Sequence, residues 1–280
     1  MKHSYCSEEV RRYDSDRFLT ALFVSPERRE DLFALYAFNL EISKTREVVS
    51  EVMLGAIRLQ WWREAIEAIY TGGELRKHAV VEALCSAVHR HSLSRANFDR
   101  LIDGRMLDLE SSPPATMKAL VEYADATSGS LVLLAMEALG GAIDAKTTEA
   151  GRKVGVAWAL TGLLRSMPSF LSRGRFVLPD ELLETHGVER RQLLDLKPSS
   201  PLSAAIAEVA MYASKELREA RVLRRCTPKT VRPALLQGVL AETYLGRIKR
   251  AHHNVFDPTI SASAGLATAR LAYNALIGRY

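Results

Sequence analysis

Apolar residues recur every three or four positions through almost the whole chain, and nowhere alternate convincingly as a half-buried strand requires. Ser25-Pro26-Glu27 opens a helix with a capping side chain, a proline at the first helical position and an acid in the first turn. Leu32, Leu35, Tyr36, Phe38, Asn39 and Ile42 then follow at helical spacing on one broad face. Between about Val52 and Tyr70, Ile57, Trp61, Ala65 and Ala68 share a stripe that Gly72-Gly73 ends. Further periodic stretches cover roughly 78–91, 94–110, 116–140, 145–172, 201–226, 231–252 and 262–278. Breaks at Pro113-Pro114, Gly140-Gly141, Gly174, Pro179, Pro198 to Pro201 and Pro258 leave short connections between long helices. No repeat of fixed period and no low-complexity tract divides the chain. The expectation is one all-α domain over residues 1–280, a helical bundle enclosing a cavity between facing helices.

With 48% hydrophobic and 25% charged residues, there is apolar material for a large core and no compositional case for disorder. The longest apolar runs, Ser130 to Ala138 and Val154 to Leu164, fall short of the roughly 20 residues that span a bilayer. The polar start MKHSYCSEEVRRYDSD carries acids early and matches neither a secretory signal nor a transit peptide, which points to the cytoplasm. Cys6, Cys85 and Cys226 have no pairing at metal-ligand spacing and are expected to be reduced, with Cys85 a packing residue in a helical stripe. The net charge of +5 suits an acidic partner, anionic lipid or a diphosphate without choosing among them. Its densest part runs from Arg218 through Arg221, Arg224, Arg225, Lys229 and Arg232. Two readings stand, a solvated helix face and docking at a membrane surface. Nucleic acid is not expected, because no zinc-finger, RNP-type or helix-turn-helix signature accompanies the charge.

The segments LFALYAFNLEISKTRE at 32–47 and GLLRSMPSFLSRGRFVLP at 162–179 resemble squalene/phytoene synthases. In that family the first reads approximately LYAFCRxxDDxxD and the second approximately NILRDVxEDxxxGRxYLP. Leu35, Tyr36, Ala37 and Phe38 match the first; Leu164, Arg165, Gly174, Arg175, Leu178 and Pro179 match the second. Asp103-Gly104 and Asp108 look like the family's IxGxxxDL element, and YDSDRFLTALFVSPERR is similar to its N-terminal region. The resemblance implies the isoprenoid synthase fold. It also implies ionisation of an allylic diphosphate, whose leaving group is stabilised by magnesium held on i, i+4 carboxylate pairs of two facing helices.

Those carboxylates are nearly all missing. The first pair falls on Ser43 and Glu47, with Lys44 beside Ser43; the second falls on Ser166 and Phe170, with Ser169 where an acid belongs. A lone Glu47 near Lys44 and Arg46 pairs with a cation more readily than it organises a metal cluster, and no metal or other cofactor is expected. Magnesium would enter only if the chain were a divergent prenyltransferase condensing isoprenyl diphosphates. Lys44, Arg46 and Arg165 could hold a diphosphate or lipid head group, or form salt bridges with Glu41, Glu47 or Glu51. Phe38, Asn39 and Asp108 complete the cavity candidates. His89 with His91, and His252 with His253, lack the i, i+4 spacing of a helical metal pair; no phosphate loop or nucleophile–histidine arrangement is present.

Trp61 and Trp62 point about 100° apart on a helix. Either both are partly buried, or one packs inward while the other faces a groove, a partner or a membrane interface. Trp62, Arg224 and Arg225 are the contact candidates. The series Ala37-Phe38-Asn39-Leu40-Glu41, followed by Arg58-Leu59-Gln60-Trp61-Trp62-Arg63, resembles a branch of the family that has lost its metal carboxylates, the mitochondrial complex I assembly factor with a phytoene synthase fold. That branch implies a non-catalytic role in building respiratory NADH dehydrogenase through contacts with complex I subunits or assembly proteins. It implies action beside the membrane. A separate reading, compatible with that role, is a lipid-binding module whose cavity holds an isoprenoid or quinone tail without reacting it.

Overall fold

A computed structural model describes residues 4–49, 51–110, 112–140, 143–261 and 265–280, and among these residues there is no strand. Two short helices precede the first one legible in the periodicity: α1 (Tyr5–Tyr13) and α2 (Ser15–Ala21). Both are polar in composition. Their starts are fixed by capping, with the Ser4 hydroxyl accepting from Ser7 N and the Asp14 carboxylate accepting from Arg17 N. α3 (Pro26–Ser43) begins without the expected side-chain cap; Pro26 sets the first turn, and the Ser25 carbonyl accepts from Arg28 N and Arg29 N. After a single turn, α4 (Thr45–Val48), α5 (Val52–Thr71) ends on Gly72, whose φ of 69° is the left-handed cap that glycine adopts without strain.

α6 (Ala79–His91) and α7 (Arg95–Met106) follow as expected, α7 passing into a 3-10 turn over Leu107–Leu109. The stretch 116–140 is not one uniform helix. α8 (Met117–Ala124) and α9 (Ser130–Ala138) are joined by a π turn at Asp125–Gly129. Two observations account for it. A Cβ on Gly155 would lie 2.6 Å from the Gly129 Cα, so backbones cross there in contact; and Asp125 is pulled toward both Arg100 (2.6 Å) and Arg152 (2.8 Å).

α10 (Ala145–Leu171) is the long central helix, followed by the short α11 (Asp180–Thr185) and α12 (Arg190–Leu193). α13 (Ser200–Val222) and α14 (Gln237–Arg250) pack on α10, and α15 (Gly265–Leu276) packs on α14. Gly141 and the expected start of the last helix at 262 lie outside the described residues. Two apolar clusters meet around α10. One gathers Tyr36, Phe38, Trp62 and Phe98; the other gathers Trp158, Ile206 and Tyr244. Contrary to the short apolar runs, Met117–Ala138 and Ala145–Leu171 are long and apolar enough to cross a membrane by length and composition. Their most apolar windows are 67% and 56% buried within the bundle, which gives that hydrophobicity a core role.

Candidate functional site

The turn after α3 and the loop after α10 meet around a cleft of about 410 Å3, within the size range of small-molecule sites. Leu120, Leu163, Phe176 and Val177 form its apolar wall. Arg46, Asp108, Glu110, Arg173 and Arg175 form a charged rim.

Asp108 is the hub of that rim. Its Oδ1 accepts from the Tyr123 hydroxyl at 3.0 Å and from Arg175 Nη2 at 3.2 Å, and its Oδ2 accepts from Arg105 Nη1 at 3.1 Å. Arg105 also donates to the Tyr123 hydroxyl at 2.9 Å and to Asn39 Oδ1 at 3.2 Å. Burial pushes the Tyr123 phenol above its ordinary value, keeping it neutral and able to donate. Burial works against the Arg105 charge, yet Tyr123 and Asp108 together hold its pKa above the ordinary value. Arg175 in turn lies over the Phe170 ring, 5.0 Å from its centroid. At the outer edge Glu47 and Arg173 form an ion pair at 2.9 Å.

The sequence profile of squalene/phytoene synthases matches residues 10–265. The chain belongs to the squalene/phytoene synthase family. It is 32% identical over 258 residues to NADH dehydrogenase (ubiquinone) complex I, assembly factor 6, of Mus musculus, covering 92% of this chain and 77% of that protein. The Homo sapiens protein of the same name is 31% identical over 256 residues, 91% of this chain and 76% of its own. Among solved structures, a dehydrosqualene synthase in complex with ligand superposes with a TM-score of 0.85 at 20% identity, covering 98% of this chain and 94% of that one. That likeness establishes the fold.

The residues at the family's metal positions do not suit magnesium. Ser43 donates its hydroxyl back to the Leu40 carbonyl at 3.1 Å, Ser166 is exposed, and Phe170 offers only a ring. Glu47 faces a guanidinium, and Asp108 is surrounded by three donors. Among the described residues no group of three or more His, Cys, Asp or Glu side chains converges on a common point. The two motif ends, which magnesium would join through carboxylates, are joined here by the Glu47–Arg173 contact.

Of the candidates named from sequence, the cleft brings together Arg46 and Asp108. Asn39 reaches Asp108 indirectly, through Arg105. Phe38 is not a cavity residue: it is fully buried, edge-on to Trp62 at 5.4 Å and to Phe98 at 5.5 Å. Lys44 points back to α1, 3.5 Å from the Tyr13 ring centroid and 3.7 Å from Glu9, so its charge serves packing and none of the three expected glutamates. Glu41 pairs instead with Arg58 at 2.6 Å. Arg165 also turns inward, to Asp16 at 2.9 Å and onto the Tyr244 ring at 3.4 Å. Trp62 is corrected as a contact residue. It is 1% exposed, enclosed by Phe38, Trp61 and His78, while Trp61 is the half-buried member of the pair. Arg224 is half-buried and Arg225 exposed.

Four residues of the cleft and of the network behind Asp108 escaped the sequence reading as site residues: Arg105, Tyr123, Arg173 and Arg175. Arg175 carried a signal, as part of the matched Gly-Arg framework; Tyr123 carried none. Arg17 was also missed. Its buried guanidinium lies between the Tyr36 ring of α3 and the Trp158 ring of α10, at 5.8 and 5.7 Å, and bonds Asp14 and Gln237. Burial pushes the Tyr36 phenol up to about 12.

Proposed function

We propose that this chain is a non-catalytic member of the synthase family that assists assembly of respiratory NADH dehydrogenase. It acts in the cytoplasm beside the membrane, through complex I subunits or other assembly proteins. The observation that carries the reading is the Glu47–Arg173 pair at the two former metal motifs, where the one remaining carboxylate faces a guanidinium and has no second carboxylate beside it to hold a divalent ion. The names of the assembly-factor relatives support the direction of the proposal. The prenyltransferase alternative rests on family membership and fold alone, and fold does not carry activity.

On this reading the cleft serves as a binding site without chemistry, and no cofactor is required. Its apolar wall suits an isoprenoid or acyl chain, and Arg46, the lining arginine that forms no ion pair among the described residues, offers donors to a phosphate-bearing head group. The test is a deletion strain assayed in parallel for assembled NADH dehydrogenase and for carotenoid, hopanoid and squalene content. Loss of the assembled enzyme with an unchanged isoprenoid profile is the expected result. Altered isoprenoids with normal NADH dehydrogenase would reverse the reading in favour of the prenyltransferase.

A further inference from the structure

Between Ala220 and Ala241 the chain contains Arg221, Arg224, Arg225, Lys229 and Arg232 and no acid, and between Pro258 and Tyr280 it again contains no acid. The fold brings these two acid-free segments together. A groove of about 310 Å3 separates the 3-10 turn at Arg232–Leu236 from the end of α15, lined by Lys229, Arg232, Leu276, Ile277 and Arg279, with Phe23 from the turn after α2 closing one side. Among the described residues no Asp or Glu side chain lines it.

Arg232 holds the groove in shape. Its guanidinium donates to the carbonyls of Arg224, Thr227 and Gly278, a set of contacts that joins both walls, and among the described residues it is in no ion pair with a carboxylate. The neighbouring Arg221 and Arg270 are different, since both are neutralised by Glu242. Arg225, Lys229 and Arg279 are exposed, and among the described residues none of the three is in an ion pair. Large aliphatic and aromatic side chains project around the same groove: Leu276 is 86% exposed, Ile277 42% and Phe23 36%. A face intended only for water has no use for those, and a face that bound an acidic protein through charge alone would not need them. Protruding apolar side chains interleaved with uncompensated cations fit one environment, the boundary between anionic lipid head groups and acyl chains.

We infer that this face is an interfacial docking surface for an anionic phospholipid bilayer, with the Lys229–Arg232–Arg279 groove receiving lipid phosphate and Phe23, Leu276 and Ile277 entering the acyl boundary. The inference is independent of the assembly role, since it concerns the purified chain and a lipid surface only.

The test is cosedimentation of the full chain with phosphatidylglycerol–phosphatidylcholine vesicles and with pure phosphatidylcholine vesicles. Binding is expected to the first and not to the second, and to weaken as salt rises. Each basic residue near an anionic surface contributes about fivefold in affinity, so the triple variant Arg225→Gln, Lys229→Gln, Arg279→Gln should bind about a hundredfold more weakly. The variant Leu276→Ser, Ile277→Ser should lose about tenfold, from aliphatic surface that no longer enters the lipid. All five side chains are solvent-facing, and unchanged thermal melting would certify the fold of each variant. The inference is overturned if the triple variant binds anionic vesicles as the unaltered chain does, or if removing the aliphatic pair changes nothing. It is likewise overturned if the chain ignores vesicles but is retained on immobilised polyglutamate, which would assign the face to an acidic protein.

Discussion

At the cleft, Arg105 and Arg175 share Asp108, Arg173 faces Glu47, and Tyr123 and Asn39 take up further donors and acceptors. On the Lys229–Arg279 face, cations of the same kind stand without a carboxylate among the described residues. The contrast separates two uses of positive charge. In the cleft, Asp108 and Glu47 neutralise Arg105, Arg175 and Arg173, and that charge is spent on holding the helices together. On the face, the charge is left available, and only an external anion can neutralise it. Substitutions in the first region should therefore act on stability, and substitutions in the second on binding.

The largest effect is expected inside the packed region. Trp62→Ala should destabilise the fold by about 3–5 kcal/mol, read by denaturant unfolding, because it empties a fully enclosed aromatic site. A loss below about 1 kcal/mol would mean that Trp62 is a surface residue after all. Next, Asp108→Ala should cost about 3 kcal/mol by leaving the buried Arg105 and its neighbour Arg175 without their shared acid. If the variant unfolds like the unaltered chain, the cleft network is not what neutralises those arginines, and the contrast with the basic face collapses.

Glu47→Ala should be mild, under about 1 kcal/mol, since the Glu47–Arg173 pair is roughly half exposed on both sides. Complementation of a deletion strain should survive it. Failure to complement despite normal folding would indicate that Glu47 has work beyond this ion pair.

The smallest effect concerns Glu137, a partly buried carboxyl that accepts from Ser94 N and the Asn97 amide and, among the described residues, forms no ion pair. Burial raises its pKa, so the folded state holds its proton more tightly than the unfolded chain. Its contribution is therefore fully present below the ordinary glutamate value and is lost as pH rises through the raised one. Glu137→Gln should flatten that decline in a pH series of unfolding midpoints. An unchanged slope would place the decline at another group.

How much of this was legible depended on the range over which the physics acts. Helices such as α5 and α10 were visible because their apolar residues repeat locally, although the buried stripe of α5 runs through Leu59, Trp62, Ala65, Ile66 and Ile69 and leaves Ile57 exposed; the loss of metal ligands was visible because it reads position by position at Ser43, Ser166 and Phe170. α1 and α2 were not, since their helicity comes from the Ser4 and Asp14 caps and from docking of a few residues such as Cys6 and Val10. The π turn depends on a crossing partner in α10, which no local pattern records. The site's replacement chemistry was hidden for the same reason. Asp108 meets Arg175 across 67 positions and Arg105 meets Asn39 across 66, so only the fold decides that these four converge. Adjacent tryptophans posed the same problem in miniature: the 100° between them says that they differ, and His78 and Phe38 decide which one is enclosed.

The measurement closest to the central claim is magnesium-dependent release of pyrophosphate from farnesyl or geranylgeranyl diphosphate by the purified chain. The account predicts none above a heat-killed control, because Ser43, Ser166 and Phe170 offer no carboxylate and Glu47 and Asp108 are already held by arginines. Release that rises with magnesium would contradict it.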